Sequence, residues 1–512
     1  MKNVNKNTLE KYEPETFSRC HILRNKLWSL IACGLLVLVN MNQVAAQNKF
    51  EAVGPTSPVK HAPMEVGAVK VTFDLLPTTV SYDLPWTFWM ISENGLKFCN
   101  YPCETYDPRN FFGTGGAASF EPGMDKEGRY VRVWIEHQSD ARIVVRVRYP
   151  LANNLYDIAH TDIPSGSPYG KGDWVDEWHY YYPDGIKVQH IKMYTGLAPE
   201  ARPFGFDRTP PKMVTEFIES ILQGPVGVAG LDVMDTAALT LIRLIGNHSE
   251  TRFPVGKSTK ISYLPYPNDY GDFRDANIML YNLKSKYKPF TIAMPYGVRA
   301  QPYAQSAGYD FFRIKPRVNP TANPTTTPAA NAPATPTTPR PPRGWTGDIG
   351  HLLNYQFYRR DGNTLEQVYL NGWTNAADPV QELSSLAWSW IQVPVLTMEG
   401  VKASYTEPNY DPAQKAYIIP RGQGRGPLEL KFSLEFNKDP ALRNPLSIYH
   451  PVFIVKDWGT GGVTLTVDGK VIQPGKEFRI GYEDTPTGTD LIMWLMMTAS
   501  QPTQFTISPV SN

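Results

Sequence analysis

The segment Gly172–Tyr194, GDWVDEWHYYYPDGIKVQHIKMY, constrains this chain more than any other. Two strand-like runs flank Asp184-Gly185, a dipeptide whose residues both tolerate the positive φ of a type I′ turn. A two-residue turn there predicts a register: Pro183 opposite Ile186, Tyr181 opposite Val188, His179 opposite His190 and Glu177 opposite Lys192. Strand side chains alternate with period 2, so that register gathers two imidazoles, a phenol and an ion pair on one face. Asp173, Trp174 and Asp176 stand at the start of the first strand. Such a mix suits binding a sugar and moving protons on it. The plain structural alternative is one satisfied core histidine and one exposed one.

The same period-2 pattern recurs along most of the chain. It marks strands at Tyr130–Glu136, Arg142–Tyr149, Trp178–Tyr182, Ile186–Tyr194 and Leu353–Tyr358. Further strands are expected at Leu365–Leu370, Leu428–Phe436, Val463–Val467 and Leu491–Met497. Asp361-Gly362 and Asp468-Gly469 supply further turn signals. One run, Pro211–Leu222, reads as a helix because Val214, Phe217, Ile218 and Ile221 share a stripe. Thr236–Ile245 is apolar and fits either helix or strand. Many short strands between Gly and Pro turns predict a mainly β fold, a large antiparallel β-sandwich or jelly roll with few short helices.

Residues 316–343 break the pattern. This Pro/Thr/Ala tract lacks the apolar bulk to bury a core and is expected to be an extended linker or loop. The expected organisation is a leader at 1–46, a β-sandwich catalytic region at 47–315, the tract at 316–343, and a β-rich region at 344–512 that packs with the first. In the leader, Arg24 and Lys26 precede an apolar run from Leu27 to Val39, and Val44-Ala45-Ala46 offers a cleavage site. That reads as export to the periplasm, the cell surface or the medium. A lipid anchor at Cys33 is the competing reading. The apolar run is short for a membrane span, and no later segment is long and apolar enough. Cys99 and Cys103, the two cysteines beyond the leader, are expected to form a small disulfide loop in an oxidising compartment.

With a net charge of +1 the chain has no global basic field, which argues against nucleic acid as a partner. Aromatic residues make up 12%, and their faces both fill cores and stack on sugars. Chemistry is expected from the first hairpin, where His179 or His190 takes a proton and Tyr181 or Tyr194 exchanges one. Arg146 and Arg148 alternate on the neighbouring strand and can form a cationic wall for carboxylates or sulfates, as against an ordinary solvated face. A second hairpin, Gly347–Gly372, carries His351, Tyr355 and Arg359 and can supply the opposite wall. Asp173, Asp176 and Glu177 raise the alternative of acid/base glycoside hydrolysis. Metal binding by these carboxylates, calcium for example, has no motif behind it. There is no GxSxG, P-loop, HExxH, EF-hand or dinucleotide fingerprint.

With these residues in view, the chain resembles secreted polysaccharide lyases of marine Bacteroidetes, the broad-specificity ulvan lyases in particular. The sharpest part of the likeness is Trp174–Tyr194, with weaker support from Gly347–Gly372. The resemblance implies an anionic polysaccharide substrate, ulvan, whose uronate is cleaved by β-elimination. It also implies no metal or organic cofactor. His179, His190, Tyr181 and Tyr194 would then share the proton transfers. Arg146, Arg148, His351, Tyr355 and Arg359 would hold substrate, and Trp174 would stack on a sugar ring. A monomer is expected. A glycoside hydrolase and a non-catalytic glycan-binding envelope protein are the competing functions.

Overall fold

Pro183 decides how the central hairpin closes. A two-residue turn needs the N–H of that residue for its closing pair, and proline has none. In the computed structural model, the strands Trp174–Tyr181 and Lys187–Tyr194 are joined through a longer loop. The Tyr182 N–H donates to the Ile186 carbonyl (3.0 Å), and the Gly185 N–H donates back to the Tyr182 carbonyl (2.9 Å). Pro183 takes the position that type I turns favour for proline, and Gly185 the left-handed position, with φ +78°. The register is therefore Tyr181 opposite Lys187, His179 opposite Gln189, Trp178 opposite His190 and Asp176 opposite Lys192. This is one residue away from the sequence expectation. Where no proline precedes it, the same dipeptide makes the two-residue turn: Asp468 and Gly469 (φ +47° and +79°) close Val467 against Lys470.

Within the unit Phe50–Asn512, the structure describes residues 50–60, 69–82, 88–106, 119–196, 214–223, 233–246, 252–262, 270–295, 298–301, 346–354, 359–399, 409–420, 429–436 and 447–510. The leader and the 316–343 tract lie outside them. The described residues are mainly β. A nine-stranded and an eleven-stranded antiparallel sheet form one sandwich. Its core joins Val71, Phe98 and Leu222 of the first sheet to Val147, Val175, Tyr181 and Met193 of the second. Across the middle of the eleven-stranded sheet run, in order, Lys288–Ala293, Thr364–Thr374, Lys187–Tyr194, Trp174–Tyr181, Ile143–Pro150 and Arg132–Gln138.

Among the described residues, the outer face of the eleven-stranded sheet is covered at one end. The helix Pro379–Ile391 starts at Asp378, whose carboxylate accepts the Gln381 N–H at 3.1 Å, with Pro379 in the first turn. It buries Leu383, Leu386 and Ala387 against Ile242, Leu280 and Ile292 of the sheet. Beside it sits a second, smaller sandwich of two five-stranded sheets with its own core around Phe432, Phe453, Leu491 and Phe505. Ile454, Ile492 and Trp494 of that sandwich rest on the large sheet.

Two sequence expectations change and one ambiguity is resolved. The stripe in Pro211–Leu222 belongs to a strand, Val214–Gln223, paired on both sides by Lys97–Tyr106 and Thr346–Asn354; pairing with long neighbours outweighs a helical spacing of four apolar residues. The ambiguous run lies in the strand Met234–Ile245. Gly347–Gly372 is not one hairpin: Thr346–Asn354 belongs to the nine-stranded sheet and Thr364–Thr374 to the eleven-stranded one. Both are strands of the first sandwich.

The expected disulfide is absent. Cys99 and Cys103 are both free and buried. They sit on one extended strand, Lys97–Tyr106, where four residues of rise set the Cα atoms about 13 Å apart, beyond the ~7 Å limit for bridging. Cys99 packs with Trp89 and Ile221, while Cys103 lies in the inter-sheet core. Mass-spectrometric mapping after iodoacetamide treatment should find both thiols unmodified in the folded protein and both alkylated in denaturant. A Cys99–Cys103 bridge would appear as no alkylation in either state.

Gly185 offers a second test. A Cβ there would meet Leu76 Cδ1 at 2.2 Å, at a φ that side chains resist. Gly185→Ala should lower stability by about 2–4 kcal/mol in urea unfolding. An unchanged midpoint would mean that the loop is not built this way.

Candidate functional site

The shifted register deals the hairpin's chemistry onto two faces. Glu177, His179, Tyr181, Lys187 and Gln189 point between the two large sheets and are buried. Asp176, Trp178, His190, Lys192 and Tyr194 alternate with them and point outward. Each face receives one of the two expected histidines and one of the two expected tyrosines.

The inner set is a closed polar network. His179 Nε2 lies 2.8 Å from Glu177 Oε2, and Nδ1 lies 2.7 Å from the Tyr82 hydroxyl. The carboxylate fixes the tautomer: Nε2–H donates to it, and Nδ1 accepts from Tyr82. The Tyr181 hydroxyl lies 2.7 Å from that of Tyr82. Tyr149 and Gln189 also donate to Glu177. Gln189 in turn accepts from Lys187 Nζ (3.1 Å) and from Asn371 (3.3 Å). Asn371 accepts from Asn100 of the opposite sheet, which ties the two layers together.

Burial acts on Lys187, His179, Tyr82 and Tyr181. It drives Lys187 well below the usual amine range, although Glu177 opposes the shift. Burial, and then the neighbouring Lys187, brings His179 down to about 4. Burial holds Tyr82 and Tyr181 above the usual phenol range. A neutral, doubly bonded histidine under these conditions orders a core.

The outer set is half-open. Asp176 is its hub, fully buried itself but accepting from Arg148 Nε (2.9 Å), Arg146 (3.2 Å) and the Tyr169 hydroxyl. Arg146 sits 4.3 Å from the Trp178 ring and 5.3 Å from the Trp134 ring. Trp178 stacks on His190 with centroids 5.4 Å apart. Arg148 lies 3.7 Å from the Tyr169 ring, which leans on Trp174 and Tyr194. His190 Nε2 lies 2.9 Å from Glu366, so that nitrogen carries the proton and Nδ1 is bare in the neutral ring. Arg146 and Arg148 keep 19% and 21% of their side chains exposed, enough for a ligand to reach them.

The three carboxylates of the hydrolase alternative are committed to separate partners. Asp173 binds His160 Nδ1 at 2.8 Å, with burial raising its pKa. Asp176 holds the arginines, and Glu177 holds the inner network. Of the second wall, His351 lies in a strand of the nine-stranded sheet and Arg359 in the short strand Arg359–Asp361 of the other. Their side chains, and Tyr355 altogether, lie outside the described residues. Among the described residues no three His, Cys, Asp or Glu side chains cluster as metal ligands, and no helix is long and apolar enough to cross a membrane.

Sequence reasoning missed Tyr82, Lys187, Gln189, Trp134, Tyr169 and Trp178. For Lys187 and Gln189 a signal existed: they share the parity of Ile191 and Met193. No known protein family matches the sequence, and no curated protein does so either.

The inner network predicts a pH dependence. The unfolded chain takes up a proton on His179 near pH 6.5, which the folded chain refuses until about 4. The stability carried by neutral His179 is complete above the upper value and is lost as pH falls toward the lower, about 3 kcal/mol in all. Lys187, also depressed, adds a slope of the same sign at higher pH. In urea titrations His179→Gln should flatten the dependence between pH 6.5 and 4. An identical slope in both proteins would remove His179 as its source.

Proposed function

We propose that this chain is an exported polysaccharide lyase that takes a uronate-containing sulfated polysaccharide, ulvan, onto the open end of the large sheet and cleaves it by β-elimination. The observation that carries the reading is the outer stack of Trp134, Arg146, Trp178 and His190, with Arg148, Tyr169, Trp174 and Tyr194 beside it. Aromatic faces pack on the C–H faces of sugars, and guanidinium forks take carboxylates and sulfates. Neither property is needed for a solvated sheet surface.

The reaction has three requirements. The uronate carboxylate must be neutralised as charge builds on it, a base must take the C5 proton, and an acid must protonate the departing oxygen. Arg146 and Arg148 fill the first role. His190 fills the second through Nδ1, while Glu366 at Nε2 stabilises the imidazolium that forms. The third falls to water, because Tyr194 stands four residues from His190 on one strand, about 13 Å away at Cα, with Lys192 between them. The C5–H electron pair becomes the C4–C5 double bond, the C4–O bond breaks, and the oxygen leaves with a proton from water. His179 and Tyr181 drop out as reacting groups in this reading, because both are fully enclosed. The reading includes a monomer and no metal or organic cofactor.

The second reading, a non-catalytic glycan-binding protein, draws on one observation: both guanidinium groups already share Asp176. Ultraviolet absorbance of the unsaturated product separates the two. Wild-type protein on ulvan should produce rising absorbance, and His190→Ala should lower turnover by about 10²-fold with retention on immobilised ulvan unchanged. Retention without absorbance would leave the binder. Loss of both would remove the glycan reading.

A further inference from the structure

A second site lies at the tip of the hairpin, away from the outer stack. There a cleft of about 140 Å³ opens between the Asp184 loop, the helix Pro379–Ile391 and the small sandwich. Its wall is apolar where Leu75, Leu76, Leu386 and Met496 meet it, and polar where Asp184, Glu382, Tyr449 and His450 do. The polar groups are fixed by one another. His450 Nδ1 lies 2.6 Å from Asp184 Oδ2, and the Tyr449 hydroxyl donates to Glu382 at 3.0 Å. Lys415 Nζ donates to the carbonyls of Tyr449 (3.0 Å) and His450 (2.8 Å). That grip holds His450 at φ +41°, a conformation side chains resist; Lys415 itself sits at +50°. Strain of this kind persists only where the surroundings over-determine it, and it concentrates at sites that bind.

Among the described residues, two polar atoms of the cleft's side chains have no protein partner. Because Nδ1–H is given to Asp184, the neutral His450 ring carries a bare lone pair at Nε2. The Trp373 indole N–H is buried and has no acceptor, although Trp373 lines the cleft. An unanswered buried donor costs about 1–3 kcal/mol, and a guest that accepts from it recovers that.

The guest's chemistry follows. An unanswered donor and an unanswered acceptor among the residues of one cleft call for hydroxyl groups, which serve both. The apolar wall and the Trp373 ring call for C–H faces. Asp184 and Glu382 repel anions. Each already accepts two hydrogen bonds from the protein, from Ile186 and His450 and from Thr374 and Tyr449, so neither is left bare for a cation. The volume is roughly ten times the ~10–15 Å³ a single water needs, room for one sugar ring. We propose that this cleft binds one neutral pyranose, with His450 Nε2 accepting from one hydroxyl and the Trp373 N–H donating to another. The proposal stands apart from the lyase reading, since it concerns other residues and a ligand of other charge.

The test is titration of the whole chain with D-glucose, D-xylose, L-rhamnose and, as an anionic control, D-glucuronate. It is followed by isothermal calorimetry and by the His450 ring proton signals, assigned through their absence in His450→Gln. At least one neutral sugar should bind saturably and shift the His450 signals, while glucuronate does neither. Trp373→Phe keeps the ring and removes only the N–H, and should weaken binding about tenfold. It serves even if His450→Gln does not fold. Absence of saturable binding by any neutral sugar, equal binding of glucuronate, or undiminished affinity in Trp373→Phe would each overturn the assignment. Failure of lyase activity would leave it untouched.

Discussion

The backbone pair between Tyr182 and Ile186 sets everything else in the large sandwich. Once the Tyr182 N–H meets the Ile186 carbonyl, parity decides which side chain of each strand goes inside. A slip of the first strand by one residue would put Asp176 and Trp178 into the core and Glu177, His179 and Tyr181 on the surface. The chain carries insurance against that slip. Cross-strand neighbours extend the same register through Ile143–Pro150 and Thr364–Thr374, so every partner strand would have to slip with it. The inner network adds chemical specificity, because Glu177 is satisfied only when His179, Gln189 and Tyr149 all face it.

How much of this was legible in the sequence follows from which interactions are local. Alternating apolar residues gave the strands, because a half-buried strand writes its own pattern. The Asp-Gly signals gave the turns, but not the pairing that follows from them. Pro183 was visible, and its missing N–H was sufficient to rule out the two-residue turn; weighing it would have moved the register to the observed one. The strand Val214–Gln223 was illegible for a different reason. Its state is fixed by two partners, Lys97–Tyr106 and Thr346–Asn354, both more than a hundred residues away in sequence. The hub role of Asp176 was equally hidden, since Arg146, Arg148 and Tyr169 come from another strand and a loop.

Placing Lys187, Glu177 and His179 in a sealed interior is costly, and the costs explain their arrangement. A lysine with no solvent loses its proton more readily than a buried pair of opposite charges can be held apart. Its ammonium position is met by the Gln189 oxygen and by the Phe88 ring, 3.3 Å from Nζ. Asn100, Thr291 and Asn371 extend the chain of donors to the opposite sheet. A network in which every member has a partner makes the two sheets mate in one alignment, whereas an all-apolar interface tolerates sliding.

The outer face solves the opposite problem. A guanidinium left free in water loses conformational entropy when it closes on an anion, and two such groups side by side repel each other. Asp176 removes both difficulties: it neutralises part of the repulsion and holds both forks against aromatic rings before any ligand arrives. Since Asp176 is wholly buried while the arginines are partly exposed, the anchoring is shielded from salt more than the outward edges of the guanidinium groups are. A surface of this kind meets a polymer already organised. On Arg146 the ligand's acid groups must displace Glu136, which accepts from Nη1 at 2.9 Å, so recognition depends on how charge is spaced along the polymer as much as on how much charge it carries.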